Sequence, residues 1–96
     1  MLIVGHRGAR GEAPENTLSG FKYLKSLGVK ALELDINVSQ DKQLVVIHDD
    51  SLERTTTGTG LVKTHTSNQL AALNACHYFK DWPYHDGVPL LTEVLA

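Results

Sequence analysis

The sequence has little of what marks the specialised protein classes. It contains one cysteine, Cys76, one tryptophan and three prolines among 96 residues. A single cysteine excludes an internal disulfide and a metal site built from several cysteines. No run of apolar residues is longer than four, whereas a transmembrane helix needs roughly 20 apolar residues.

A large excess of charge of one sign is also missing. Nine lysines and arginines against eleven acidic residues give a net charge of -2, which argues against nucleic acid or an anionic membrane as partner. The N-terminus lacks a basic stretch followed by an apolar core, so we expect no signal peptide and, by default, a cytoplasmic location. What is present, 42% hydrophobic and 21% charged residues, is typical of a soluble globular protein rather than a disordered chain.

The first half of the chain predicts a strand, a helix and a second strand. The apolar run at 2–4 ends at Gly5 and predicts a buried strand that stops at His6, followed by a loop over 7–15. Asn16 or Thr17 can cap a helix whose apolar residues recur every three positions up to Gly28. Over 32–38, large aliphatic residues occupy every second position, which predicts the next strand over 29–38. Such units are almost always right-handed and parallel.

A third strand over 43–48 follows too closely for a parallel crossover, so the connection is predicted to be an antiparallel hairpin. If Asp41 and Lys42 form a two-residue turn, Asp35 pairs with His48 on the same face of the sheet. Beyond residue 50 the patterns weaken to a flexible loop over 55–60, a short helix over 67–73 capped by Ser67 or Asn68, and the start of a helix at 92–96.

Two acidic residues of the second strand are the first candidates for chemistry. Glu33 and Asp35 are two positions apart, and residues at that spacing in a strand point to the same face. Two neighbouring carboxylates in an enclosed space favour a hard divalent cation, Mg²⁺ or Ca²⁺, as their counter-charge. The alternative is an ordinary amphipathic strand whose acidic face lies in water.

Three further residues are predicted to converge on Glu33 and Asp35. His6 and Arg7 follow the first strand, at the end where parallel α/β sheets place their sites, and His48 ends the third strand. Arginine suits a phosphate group, and two histidines suit proton transfer in both directions near neutral pH. Together these residues favour metal-assisted cleavage of a phosphate ester. The alternatives are a polar loop for His6 and Arg7, and a strand-end histidine bonded to a loop for His48.

The segments GHRGARGEAPENTLSGF, ALELDINVSQD and VVIHDDSLERTTTGTG, with a fainter match at VPLLTEVL, resemble the glycerophosphodiester phosphodiesterase family. The resemblance implies a TIM-type (β/α)8 barrel that hydrolyses glycerophosphodiesters to sn-glycerol 3-phosphate and an alcohol. It implies that Glu33 and Asp35 bind the metal, that His6 and His48 are the general base and acid, and that Arg7 contacts phosphate. The loop residues of Pro-Glu-Asn-Thr, and Asp49, Arg54 and Thr55, are interpreted as structural.

A barrel of this type has about 250 residues. We therefore interpret residues 1–96 as the N-terminal part of such a domain, an incomplete barrel with a hairpin after its second strand, and expect it to be inactive alone. The family's third metal ligand, a glutamate, would lie past Ala96. Two alternatives remain: a non-catalytic remnant that serves as an interaction module, and a phospholipase C- or D-like enzyme that acts on lipids.

Overall fold

The computed structural model describes residues 4–6, 13–28, 31–80 and 82–95, and describes 4–6 and 31–33 by their backbone alone. Arg7 and most of the loop before the first helix lie outside this part of the chain. The described Cα atoms have a radius of gyration of 12.6 Å.

The predicted strand–helix–strand unit is confirmed. Strand β1 (Val4–His6) lies parallel to β2 (Ala31–Glu33), and helix α1 (Leu18–Ser26) connects them. In the register, Val4 is beside Ala31 and His6 is beside Glu33. The carboxyl ends of the two strands therefore meet at one edge of the sheet.

Helix α1 begins at a cap made by two chain segments. The Thr17 hydroxyl accepts a hydrogen bond from the Gly20 amide at 3.1 Å, so Thr17 rather than Asn16 is the N-cap. The carboxylate of Asp86 accepts a second bond from the Ser19 amide at 2.7 Å. These acceptors satisfy amides that have no partner inside the helix, and the negative charge of Asp86 suits the positive end of the helix dipole. At the other end, Gly28 has a φ of 80° and terminates the helix as predicted.

The continuous second strand predicted over 29–38 is wrong. The chain leaves the sheet at Leu34 and Asp35, and a separate strand β3 (Ile36–Val38) pairs antiparallel with β4 (Leu44–Val46). The alternation of leucine and isoleucine continues through the break, so nothing in the apolar pattern marks it. Because the alternation rule applies only within one strand, it does not determine whether Glu33 and Asp35 share a face.

The hairpin of β3 and β4 exists, but its predicted register is wrong by one residue. Ser39 pairs with Gln43, and the loop contains three residues, 40–42, rather than two. Lys42 closes this loop with a φ of 64°, the left-handed position of a type I turn followed by a bulge. As a result the amide of Ile47 donates to the carbonyl of Asp35 at 3.0 Å, and the predicted cross-strand pair of Asp35 with His48 does not form.

The rest of the chain folds over β4. The core here consists of six buried residues, Val45, Ile47, Leu52, Val62, Leu70 and Val88. The partly buried Leu73 and Leu90 pack against it. A 3₁₀ turn (Val62–Thr64) and helix α2 (Ser67–Ala71) supply Val62 and Leu70 to this core, and helix α3 (Leu91–Leu95), which has no buried residue, follows Leu90. The N-cap of α2 is Thr66, in a capping box with Gln69, rather than Ser67 or Asn68. The loop predicted to be flexible holds two buried residues, Thr55 and Thr56.

Candidate functional site

Two strand ends and the hairpin bring four of the predicted site residues to neighbouring backbone positions. His6 and Glu33 are side by side where β1 and β2 end. Asp35 is two residues further along, and its carbonyl accepts a hydrogen bond from Ile47, the residue before His48. The backbone therefore places the segments that carry these residues next to one another.

The His48 side chain is exposed and is held by its neighbour in sequence. Its Nδ1 lies 2.7 Å from Oδ1 of Asp49. A carboxylate at Nδ1 favours the tautomer in which that nitrogen carries the proton, so the basic nitrogen of the neutral ring is Nε2. His48 is thereby oriented as a group that can accept or return a proton through Nε2.

Asp49 is itself fixed by Arg54. The guanidinium donates from Nε to Oδ2 of Asp49 at 2.7 Å and from Nη2 to Oδ1 at 3.0 Å. Arg54 also donates from Nη1 and Nη2 to the two oxygens of Glu15, at 3.0 and 2.8 Å. Glu15 is buried, with 4% of its side chain exposed. A buried anion at one end thus anchors a chain of charged groups that ends at His48.

The electrostatics of this chain follow from its hydrogen bonds. The Arg54 guanidinium lowers the pKa of Asp49 to about 2, and hydrogen bonding to Asp49 and then Glu15 raises the pKa of Arg54 above its usual value. Nearby, burial raises the pKa of Tyr78 to about 12. Its hydroxyl accepts a hydrogen bond from the Glu15 amide at 2.6 Å. Asp49 is therefore an anion at every pH at which a histidine titrates.

Asp35 is half-buried and contacts the turn before α1. Nδ2 of Asn16 donates to Oδ2 of Asp35 at 3.2 Å. Asn16 is 3% exposed, has a φ of 52°, and its Oδ1 accepts no hydrogen bond from the described residues. A buried carbonyl oxygen without a donor is unusual in proteins. Beside a carboxylate, it fits the oxygen-rich surroundings that Mg²⁺ or Ca²⁺ prefers.

Several of the site predictions lie outside the described residues. This applies to Arg7 and to the side chains of His6 and Glu33, so the set of two histidines, two carboxylates and one arginine stays a prediction. Among the residues described, no group of three or more histidine, cysteine or acidic side chains is placed to hold a metal ion. The described helices include none with the length and apolar character to cross a membrane.

Sequence reasoning missed two links in this region. It interpreted Glu15, Asn16, Asp49 and Arg54 as loop-shaping residues, and Glu15 and Arg54 do fix the loop. It did not connect Glu15 with Arg54, which is 39 positions away in sequence, or Asn16 with Asp35. No periodicity or spacing rule joins residues in two loops, and the only available signal was that all four belong to motifs shared with one family.

Comparison with known proteins supports that resemblance. A model of the glycerophosphoryl diester phosphodiesterase family matches residues 6–96. The chain belongs to this family. A glycerophosphodiester phosphodiesterase from Bacillus altitudinis is 42% identical over 93 residues, which are 97% of this chain and 38% of that protein.

Solved structures of family members show the same fold over the compared length. The glycerophosphodiester phosphodiesterase of Agrobacterium tumefaciens matches with a TM-score of 0.91 and 41% identity, over 99% of this chain and 41% of that one. An Oleispira antarctica phosphodiesterase, solved with its product sn-glycerol-3-phosphate, matches with a TM-score of 0.91 and 35% identity, over 98% of this chain and 38% of that one. The chain thus spans about two fifths of the length of these relatives.

Proposed function

We propose that this chain is the N-terminal part of a (β/α)8 barrel enzyme that hydrolyses glycerophosphodiesters to sn-glycerol 3-phosphate and an alcohol. The observation that carries the proposal is the backbone arrangement of the strand ends. His6 is beside Glu33, and Asp35 is bonded to the residue before His48. Family membership supports the reaction, because the relatives are named for it.

In this proposal Glu33 and Asp35 hold a divalent cation, Mg²⁺ or Ca²⁺. When bound, the cation polarises a phosphoryl oxygen and offsets the charge of the two carboxylates. Two observations support an oxygen-ligated cation here. The Asn16 amide donates to the carboxylate of Asp35 at 3.2 Å, and the buried Oδ1 of Asn16 accepts no hydrogen bond within the part of the chain that the structure describes. Arg7 contacts the phosphate and orients it towards the histidines.

His6 and His48 then transfer protons as general base and general acid. His48 is suited to this role because Asp49 holds its Nδ1 at 2.7 Å, which directs Nε2 towards the exchange of a proton with the substrate. The pair acts in opposite directions. One histidine accepts a proton from a neighbouring glycerol hydroxyl as its oxygen bonds to phosphorus, and the other protonates the alcohol as its bond to phosphorus breaks. Water then opens the cyclic phosphate to sn-glycerol 3-phosphate, with the two histidines in exchanged roles.

The test is hydrolysis of glycerophosphocholine and glycerophosphoethanolamine by the complete protein that carries this chain. We expect EDTA to abolish the activity and an excess of Mg²⁺ or Ca²⁺ to restore it. His48→Ala is expected to lower kcat by a factor of about 10²–10⁴, the usual contribution of a general acid or base. His85→Ala is the matched control, since His85 is exposed and outside the candidate site. Undiminished activity of His48→Ala or of the chelated protein would refute the proposal.

Two comparisons separate the alternatives. The isolated 96-residue chain is expected to be inactive, because it spans only about two fifths of its relatives; a complete protein that binds partners but hydrolyses no diester would indicate an interaction module. Higher activity on intact phospholipid vesicles than on soluble glycerophosphodiesters would instead indicate a lipid phosphodiesterase.

A further inference from the structure

Asn16 combines two unfavourable features that its local role does not explain. Its backbone is in the left-handed region, with a φ of 52°, and its buried Oδ1 has no hydrogen-bond donor among the described residues. Asparagine adopts this backbone conformation more readily than other residues with a Cβ but less readily than glycine, and a buried carbonyl without a partner loses its hydration. Glycine would avoid both penalties.

Helix capping does not explain why asparagine occupies position 16. The cap of α1 is made by Thr17 and Asp86, which satisfy the amides of Gly20 and Ser19. The side-chain hydrogen bond of Asn16 runs instead from Nδ2 to Oδ2 of Asp35, across 19 positions of sequence. Strained residues with unsatisfied polar groups persist where function requires them.

We propose that Asn16 is a positioning residue for the cation site. Its Nδ2 fixes one oxygen of Asp35, which sets the plane of that carboxylate and directs its other oxygen to the cation. The Oδ1 that accepts no hydrogen bond from the described residues belongs to the same amide. Its partial negative charge is unfavourable beside the Asp35 carboxylate and becomes favourable when a cation binds there. The inference rests on the proposed function, because it assumes that Asp35 is a ligand of the cation.

The experiment measures metal affinity directly in the complete protein. Mn²⁺, an oxygen-preferring stand-in, is titrated and the unbound ion is followed by electron paramagnetic resonance. Asn16→Gly is expected to raise the Kd for Mn²⁺ by about 10–100-fold, as loss of a residue that orients a metal ligand usually does. The same variant is expected to change the midpoint of thermal unfolding without metal only slightly. Removal of the left-handed side chain and of the unsatisfied oxygen offsets the lost hydrogen bond to Asp35 and the greater entropy of an unfolded glycine.

Lys42→Gly is the matched control. Lys42 also has a left-handed backbone, with a φ of 64°, but it lies in the hairpin loop and has no role at Asp35. Its replacement is expected to leave the Kd for Mn²⁺ unchanged. An unchanged Kd in Asn16→Gly would overturn the inference while the proposed function stands. Failure of the unsubstituted protein to bind Mn²⁺ would overturn the cation site itself, and the inference with it.

A second variant protects the test against a loss of folding. Asn16→Asp keeps the size of the side chain but places a second anion against Asp35, a repulsion that a bound cation relieves. The rise of the unfolding midpoint on addition of Mn²⁺ is therefore expected to be larger in Asn16→Asp than in the unsubstituted protein, and smaller in Asn16→Gly. Equal rises in all three would contradict the role of Asn16.

Discussion

Asp49 orients His48, one of the two predicted catalytic histidines, and Arg54 in turn fixes the Asp49 carboxylate. The guanidinium makes two hydrogen bonds to Asp49 and two to Glu15. Glu15 is buried, so its charge needs this partner, and the partner is in turn kept in place by the buried charge. Residues that the sequence motifs identify as loop-shaping thereby fix the orientation of a side chain proposed to act in the reaction.

The pairing of Asp49 with Arg54 predicts an acid-sensitive contribution to stability. Its folded-state pKa of about 2 lies below the ordinary value of 3.8, so the contribution is complete above about pH 4 and is lost as the pH falls towards 2. We expect Asp49→Asn to lower the free energy of unfolding by about 1 kcal/mol at pH 7, allowing for partial exposure to solvent. The measurement is urea denaturation of both proteins between pH 7 and pH 2.

The difference between the two proteins should then shrink over the interval from pH 4 to pH 2. Asp41 has a similarly lowered pKa, chiefly because the Ser39 hydroxyl donates to it. Its contribution is present in both proteins and cancels from the difference. A difference that stays constant down to pH 2 would show that Arg54 does not stabilise the Asp49 anion.

The elements differ in how far the sequence determines them. The apolar run before Gly5 predicted β1 correctly, and the apolar stripe after Thr17 predicted α1 and hence the parallel strand that follows it. The short connection before the third strand predicted the hairpin. These predictions succeeded because each depends only on local periodicity and chain length. The break at Leu34 and Asp35 could not be predicted, since the leucines and isoleucine alternate across it. The motifs predicted the residues of the candidate site, and that set stays a prediction. The contacts of Glu15 with Arg54 could not be predicted, because they depend on how two loops fold together.

The identity of one residue, Lys42, explains why the hairpin register was predicted wrongly. A glycine at position 42 would have indicated a left-handed position and hence the three-residue loop. Lysine gives no such signal, so the sequence favoured the two-residue turn. The loop is held in place instead by Asp41, whose carboxylate accepts from the amide and hydroxyl of Ser67 at 2.9 and 2.7 Å.

Lys42 therefore carries backbone strain that glycine would relieve. We expect Lys42→Gly to raise the free energy of unfolding by roughly 0.5–1 kcal/mol, the cost of the left-handed backbone less the extra entropy of an unfolded glycine. Lys42→Ala removes the same charge and keeps the strain, so it should not stabilise the protein. Chemical denaturation of the three proteins measures this, and equal stability of the glycine and alanine variants would contradict the explanation.

At the scale of the molecule, the residues that the structure describes pack closely on one side of the hairpin and leave much of its other side exposed. Val45 and Ile47 face the core, whereas Ile36, Val38 and Leu44 are 43–48% exposed. The register pairs Val38 with Leu44 and Ile36 with Val46, so the three exposed residues lie on one face, which we call the open face. Val46 belongs to the same face but is 1% exposed, so the face is open at Ile36, Val38 and Leu44 only. In the proposed barrel, the remaining strands and helices would cover it.

An uncovered apolar face predicts that the 96-residue chain associates with itself when it is produced alone. Val38→Glu combined with Leu44→Lys replaces an exposed cross-strand pair by opposite charges, which is compatible with the hairpin and should restore the monomer. Leu27→Lys is the control, because Leu27 is 54% exposed at the end of α1 and outside the open face. Sedimentation velocity over a range of concentrations measures the state of each chain, with circular dichroism to verify folding. If the unsubstituted chain stays monomeric, or the double variant associates as strongly as Leu27→Lys, then the open face does not need the rest of a barrel to cover it.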